Sequence, residues 1–451
     1  MSVLERVREQ ESRGITDEAV TGTPQRSSGE RLSMALKHEL VDRLGLETVA
    51  TMVAMPDIEQ ARAELRVTCQ AILNEERFSG LSASERERLM ARVLDEVVGL
   101  GPIQPLLDDE SISEVMVNGC SALYYERGGR LHLSDVSFES ADQIMMVVDR
   151  ILAPLGRRLD KSSPLVNARL ANGDRVNAVA VPIAIDGPYV TIRKFSNRIT
   201  SMDRLVELGS LPQWYATLLR WAVRLRKDIA VAGGTGSGKT TLLNALSCEI
   251  DHGERVITIE DSAELRFDPE AHVVRMEARD ASIEGTGEVT IRDLVKNALR
   301  QRPDRIVVGE VRGAEAIDML QAMNTGHDGS LTTLHAGTAE EAVLRLILMA
   351  RFGMDLPASI IEEQVSTALD FIVLSARRND GSRRITSLSQ VRRADGGGVE
   401  LVELVSYDAA SDRWTLAGEP GFVSEALREG RLGVEEVEQW RSSISQVAHA
   451  A

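Results

Sequence analysis

Ile229-Ala-Val-Ala-Gly-Gly-Thr-Gly-Ser-Gly-Lys-Thr-Thr-Leu-Leu243 decides the fold of this chain. Gly233, Gly238, Lys239 and Thr240 stand at the G-x-x-x-x-G-K-T spacing of a phosphate-binding P-loop. Residues 229–232 read as a buried strand and Thr241–Leu246 has helical spacing, so the glycines fall at a strand-to-helix turn. Glycine reaches positive φ, which lets the backbone N–H groups of Gly233, Gly234, Thr235, Gly236, Ser237 and Gly238 aim into one concavity. The helix N-terminus behind them, at Lys239, Thr240 and Thr241, adds a partial positive charge. Lys239 is expected to reach the β- and γ-phosphates, and Thr240 to place its hydroxyl on Mg²⁺. The chain reads as a nucleoside-triphosphate-binding protein.

Around this loop, residues 205–385 alternate strand and helix patterns, as expected of a parallel sheet covered on both faces. The strand candidates are Ile229–Ala232, Val256–Ile259, Arg305–Val308, Leu331–Leu334 and Phe371–Leu374. Ligands of open α/β sheets bind beyond the carboxyl ends of the strands. Glu260, Asp261 and Glu264 follow the second strand, Gly309, Glu310 and Arg312 the third, and His335 the fourth, with His327 just before that strand. Phosphoryl transfer is mostly positioning and charge stabilisation, so charged groups at one edge suit it. Gly309-Glu310 replaces the usual Mg²⁺-binding Asp, which gives Glu310 the metal and attacking-water side, shared with Glu260. Either acid alone reads equally well as a solvated loop charge. His327 and His335, eight residues apart across a turn, have a poor metal-ligand spacing. A structural polar role and γ-phosphate sensing both stay open for them.

Composition narrows the class. The 451 residues leave room for two to four domains, and a net charge of −17 argues against nucleic-acid binding as the main task. No apolar run approaches the roughly 20 residues of a membrane-spanning helix, and the N-terminus does not resemble a signal peptide. Cys69, Cys120 and Cys248 lack C-x-x-C spacing, so they read as reduced thiols of a cytoplasmic protein.

Residues 1–30 are expected to be a disordered tail, 31–98 a helical segment, and 99–198 a mixed α/β N-terminal domain. Within that domain, Leu165–Leu170 and Arg175–Val181 are joined through Asn172-Gly173, a strong hairpin signal. The P-loop domain spans 205–385, and strands with a final helix fill 386–451.

Ile257-Thr-Ile-Glu-Asp261, Arg302-Pro-Asp-Arg-Ile-Val-Val-Gly-Glu-Val-Arg-Gly313 and Gly326-His-Asp-Gly-Ser-Leu-Thr-Thr-Leu-His-Ala336 resemble, in order, the Asp, Walker B and His boxes of the type II/IV secretion ATPase superfamily. Within it, Leu155–Val166, Glu284–Val295 and Asp318–Asn324 resemble the Tad/Flp pilus assembly ATPases. The tetracysteine zinc module of many type II secretion ATPases has no counterpart here.

The resemblance implies a RecA-like domain behind an α/β N-terminal domain, a homo-hexamer, and ATP with Mg²⁺ between the two domains. It also implies arginines from the N-terminal side at the phosphates, matching Arg157, Arg158, Arg169, Arg175 and Arg193. Arg175 and Arg193 are the two expected to act in catalysis; pairing with Asp160, Asp174 or Asp186 is the structural alternative. The expected function is a cytoplasmic motor, peripheral at the inner membrane through a platform protein, that drives Tad/Flp pilus assembly. Its rivals are a type IV secretion ATPase, a nucleotide-gated scaffold without turnover, and a RecA-type nucleic-acid motor.

Overall fold

The computed structural model describes residues 28–53, 58–170, 172–195, 201–279, 281 and 286–449. Most of the expected tail and of the linker near 197–201 lies outside them, as do Met55 and residues 282–285. The chain divides into two compact units, Met1–Phe195 and Ser196–Ala451.

The first unit opens with helices Ser28–Leu44, Leu46–Val53, Ile58–Leu73 and Ala83–Val97. Their apolar stripes meet at Leu36, Leu40, Leu65, Cys69 and Leu94, with Phe78 from the turn before the fourth helix, a core of its own. Ser82 starts the fourth helix with a capping box closed by Glu85. A six-stranded antiparallel sheet follows: β1 Ile112–Asn118, β2 Ala122–Arg127, β3 Arg130–Leu133, β4 Leu165–Arg169, β5 Arg175–Val179 and β6 Tyr189–Arg193, in the order β3-β2-β1-β6-β5-β4. The helix Ala141–Leu152 covers one face through Ile144, Val148 and Ile151. The Asn172-Gly173 hairpin forms between β4 and β5, with Gly173 at φ 97°.

The second unit is built on one nine-stranded sheet. Its strands are β7 Ile229–Gly233, β8 Val256–Glu260, β9 Val273–Glu277, β10 Arg305–Val308, β11 Leu331–His335, β12 Phe371–Arg377, β13 Arg383–Arg393, β14 Val399–Asp408 and β15 Arg413–Leu416. The order is β15-β14-β13-β12-β7-β11-β10-β8-β9. From β12 to β9 every pairing is parallel, and β13 to β15 add an antiparallel meander. Each of β7, β8 and β10 is buried along its whole length, which the apolar runs of a sheet covered on both sides require. The boundary expected at 385/386 falls inside β13, because the meander continues the same sheet. Helices Gly421–Arg428 and Val434–His449 complete one covering layer: Trp440 Nε1 donates to Trp214 O at 2.8 Å, beside Trp221. Among the described helices none is long and apolar enough to cross a membrane.

Candidate active site

The parallel strands end together, so the last residues of β7, β8 and β11 (Gly233, Glu260 and His335) share one edge with the segment after β10. The loop from Gly234 to Gly238 turns over this edge, with Gly236 at φ 70° and Gly238 at φ 98°. These are conformations only glycine takes cheaply. Gly233 is needed for a second reason: a Cβ there would sit 2.3 Å from Ser375 O and 2.5 Å from Ser237 Oγ. From β12, Ser375 Oγ donates to Ser237 O at 2.7 Å, and from β13, Arg383 Nε donates to Gly236 O at 3.1 Å. The neighbouring strands thus hold the loop by its carbonyls. Gly234, Thr235 and Gly236 remain exposed, Thr240 is half-buried and Thr241 is exposed.

Lys239 begins the helix Lys239–Ser247 and is 7% exposed, with Nζ donating to Gly234 O at 2.8 Å. Its Nζ also lies 3.5 Å from His335 Nδ1, and His335 Nε2 lies 2.9 Å from Glu310 Oε1. Glu310 Oε2 accepts from Arg312 Nη2 at 2.6 Å, and Arg312 Nη1 stands 3.6 Å from Asp261 Oδ2. Lysine, histidine, glutamate and arginine from three strand ends therefore form one continuous row. Desolvation, then the positive charge of Lys239, lowers the pKa of His335.

Glu260 is 2% exposed and its Oε2 accepts from the amides of Glu264 at 2.6 Å and Leu265 at 2.9 Å. Burial raises its pKa against those two hydrogen bonds. Glu260 thus anchors the turn after β8 as well as facing the site. Gly309 makes room for it, since a Cβ there would meet Glu260 Cγ at 3.0 Å.

The donor set fits Mg²⁺, a hard cation that takes oxygen ligands. Glu260 Oε1, Glu310 Oε1 and Ser237 Oγ are buried and make no hydrogen bond within the protein under an ordinary donor geometry. With the Thr240 hydroxyl they are the oxygens that could hold the ion and a phosphate.

His327 and His335, both candidates for the catalytic edge, do not share it. His327 precedes β11 by four residues, while His335 ends that strand, so the two lie at opposite edges of the sheet. At the far edge the His327 ring contacts Ala322 O at 3.2 Å and its carbonyl accepts from Ser330 Oγ at 2.7 Å. An eight-residue spacing that spans an extended strand separates groups instead of joining them.

The arginines of the first unit gather in a different way. Arg169 is the cross-strand partner of Arg175, Arg175 of Arg193, and Arg193 of Glu114, one row across β4, β5, β6 and β1. Asp174, 2% exposed, accepts from Phe195 N at 2.7 Å and from Asn172 Nδ2 at 2.9 Å. Arg157 donates to Asn167 O, and Arg158 lies 3.4 Å from Asp160. Sequence reading passed over Ser375 and Arg383. The signal for Ser375 was positional: it lies on β12, the strand beside the P-loop strand, whose end reaches the loop.

Residues 96–451 match the type II/IV secretion system protein family. The chain belongs to that family. Among relatives of the same family, a Mycobacterium tuberculosis protein named for conjugal transfer is 36% identical over 312 residues, 68% of this chain and 88% of its own length. The type IV secretion system protein PtlH of Bordetella pertussis is 35% identical over 310 residues, 63% of this chain and 91% of its own length. The VirB11 ATPase of the Brucella suis type IV secretion system, solved with sulphate, is 31% identical and covers 64% of this chain and 95% of its own, with a TM-score of 0.36.

Proposed function

We propose that this secretion-family protein hydrolyses ATP at the P-loop edge. The observation that carries the reading is the row Lys239, His335, Glu310, Arg312 at the ends of parallel strands. Lys239 exchanges the Gly234 carbonyl for β- and γ-phosphate oxygens. Glu310, held between His335 and Arg312, accepts a proton from the attacking water. The oxygen of that water bonds to the γ-phosphorus, the bond to the β,γ-bridging oxygen breaks, and ADP leaves. Thr240, with Glu310 and Glu260, would hold Mg²⁺, which would supply charge neutralisation at the phosphates. Purified protein should release phosphate from ATP; Glu310→Gln should bind ATP and fail to turn it over. A Glu310→Gln protein with near wild-type kcat refutes the assignment.

The finer reading is a homo-hexameric motor of a Tad/Flp pilus, acting from the cytoplasmic side on an inner-membrane platform protein. The Arg169–Arg175–Arg193 row supports it as a source of phosphate donors in the assembled ring, since guanidinium offers planar bidentate hydrogen bonds. Specific activity should rise with protein concentration, and a fully active monomer would refute the ring. The names of its relatives favour a second reading, a type IV secretion or conjugal transfer ATPase. Deleting the gene and scoring pilus formation against substrate export separates the two.

A further inference from the structure

We propose that Thr333 is a positioning residue for Glu310; this rests on the reading of Glu310 as the base for the attacking water. Glu310 stands beyond the β10–β11 ladder, whose pairs are Val307 with Leu331 and Val308 with Thr332. The next residue of β11 takes over where the ladder stops. Thr333 is fully buried, and its Oγ1 donates to Gly309 O at 2.7 Å. Its own carbonyl accepts from Val311 N at 2.8 Å. One residue therefore fixes the neighbours of Glu310 on both sides, one through its side chain and one through its backbone.

The flanking residues are tied down further. Gly309 N donates to Ile259 O of β8 at 2.8 Å, and the Val311 side chain is buried. Glu310 thus sits between two anchored residues on a segment that belongs to no strand.

Alternation along β11 puts Thr333 and His335 on one face and Thr332 and Leu334 on the other. Leu334 packs with Ile257 and Val308 in the apolar layer. On the first face, His335 Nε2 lies 2.9 Å from Glu310 Oε1. The same face of β11 therefore holds Glu310 twice, at the backbone through Thr333 and at the carboxylate through His335. A ring contact at one oxygen leaves the stem free to shift, and a misplacement of about 1 Å can cost about 10²-fold in rate. The hydroxyl of Thr333 removes that freedom. Thr332 is equally buried, but its hydroxyl meets only Thr333 O, at 3.4 Å, and serves as the control.

Full-length Thr333→Val, Thr333→Ser and Thr332→Val should be compared for phosphate release, for ADP binding by calorimetry and for melting without nucleotide. Thr333→Val keeps the shape and loses the hydroxyl. It should lower kcat about 10-fold or more, by displacing the base. ADP affinity should stay within about two-fold, since the loop and Lys239 are untouched. Thr333→Ser should return kcat to within about three-fold of wild type, and Thr332→Val should leave it within about two-fold. In a Glu310→Gln background, Thr333→Val should add no further loss, because a residue that acts through Glu310 has nothing left to position. Wild-type kcat in Thr333→Val, beside an inactive Glu310→Gln, overturns the proposal and leaves the base reading standing. Thr333→Ser as slow as Thr333→Val also overturns it, because the methyl packing and not the hydroxyl would then matter. A Thr333→Val chain that does not fold, or that melts lower and turns over normally where folded, assigns the hydroxyl to the strand and overturns it too. Near wild-type kcat in Glu310→Gln removes both readings.

Discussion

The two edges of the nine-stranded sheet both carry charged groups and use them in opposite ways. At the carboxyl edge, Glu260 Oε1 and Glu310 Oε1 are buried short of donors, and Lys239 rests on a loop carbonyl. At the amino edge the charges are closed. Arg305, fully buried, gives Nε and Nη2 to Glu254 at 2.7 and 2.9 Å, Nη1 to Gly329 O at 3.1 Å, and Nη2 also to Val223 O at 3.0 Å. Lys227 Nζ donates to Asp370 at 3.1 Å, and Asp228 Oδ1 accepts from Ser330 N at 2.8 Å. A buried polar group without a partner is costly, so a fold tolerates it where a ligand will supply the partner. One motif strand runs from the first kind of edge to the second: β10 begins with Arg305, and Glu310 follows two residues after its end.

The contrast predicts that substitutions at the carboxyl edge remove turnover and leave the fold intact. Glu310→Gln should lower kcat by about 10²–10⁴-fold, with the nucleotide-free melting temperature unchanged. Lys239→Ala should abolish turnover and weaken ATP binding as well. Phosphate-release assays paired with thermal melts check both. A large drop in melting temperature for either variant would erase the distinction.

At the amino edge the expected loss is in stability. Arg305→Ala leaves Glu254 without its main partner and should cost about 3–5 kcal/mol by urea unfolding of the full chain. Gly329→Ala attacks the same network sterically. Its Cβ would fall 1.8 Å from Arg305 Nη1, at φ 83°, and the loss should be about 1–3 kcal/mol. An Arg305→Ala protein of wild-type stability would show that the network is not what holds this edge.

The carboxyl edge was readable in the sequence to the extent that chemistry follows strand ends. The glycine spacing gave the loop, and the apolar runs of β7, β8, β10 and β11 put Glu260, Glu310 and His335 where they are found. For His327 both a structural role and γ-phosphate sensing stayed open, and its place before β11 puts it at the end of the strand away from Glu310. β9 was missed for another reason: Val273-Val-Arg-Met-Glu277 is an edge strand, half-buried, without strict alternation. Arg383 gave no signal of its own, since an arginine beside an Asn-Asp-Gly-Ser turn also fits an ordinary solvated hairpin. Only the order β13-β12-β7 sets it against the loop.

A smaller effect sharpens the comparison through pH. Burial, with further help from Asp370 and Asp328, pushes the Asp228 carboxyl up to about 8, against hydrogen bonds from Ser330 and Gly329. Between its ordinary value and about 8 the folded protein holds a proton that the unfolded chain has lost. Stability should therefore fall as pH rises through this window. Asp228→Asn keeps an oxygen for Ser330 N and cannot ionise, so its melting temperature should decline less between pH 6 and pH 9. Parallel declines in the two proteins would show that Asp228 is already ionised at neutral pH.

The two histidines test the central claim most directly, because one belongs to each edge and both lie in one motif. Full-length His335→Ala and His327→Ala should be compared for phosphate release at saturating ATP and for melting without nucleotide. His335→Ala should lower kcat at least about 10-fold with its melting temperature unchanged, since the ring links Lys239 to Glu310. His327→Ala should melt lower and keep kcat within about two-fold at a temperature where it is folded. A His327→Ala protein that is fully folded and inactive, beside an active His335→Ala, would contradict the division of the sheet into a working edge and a closed one.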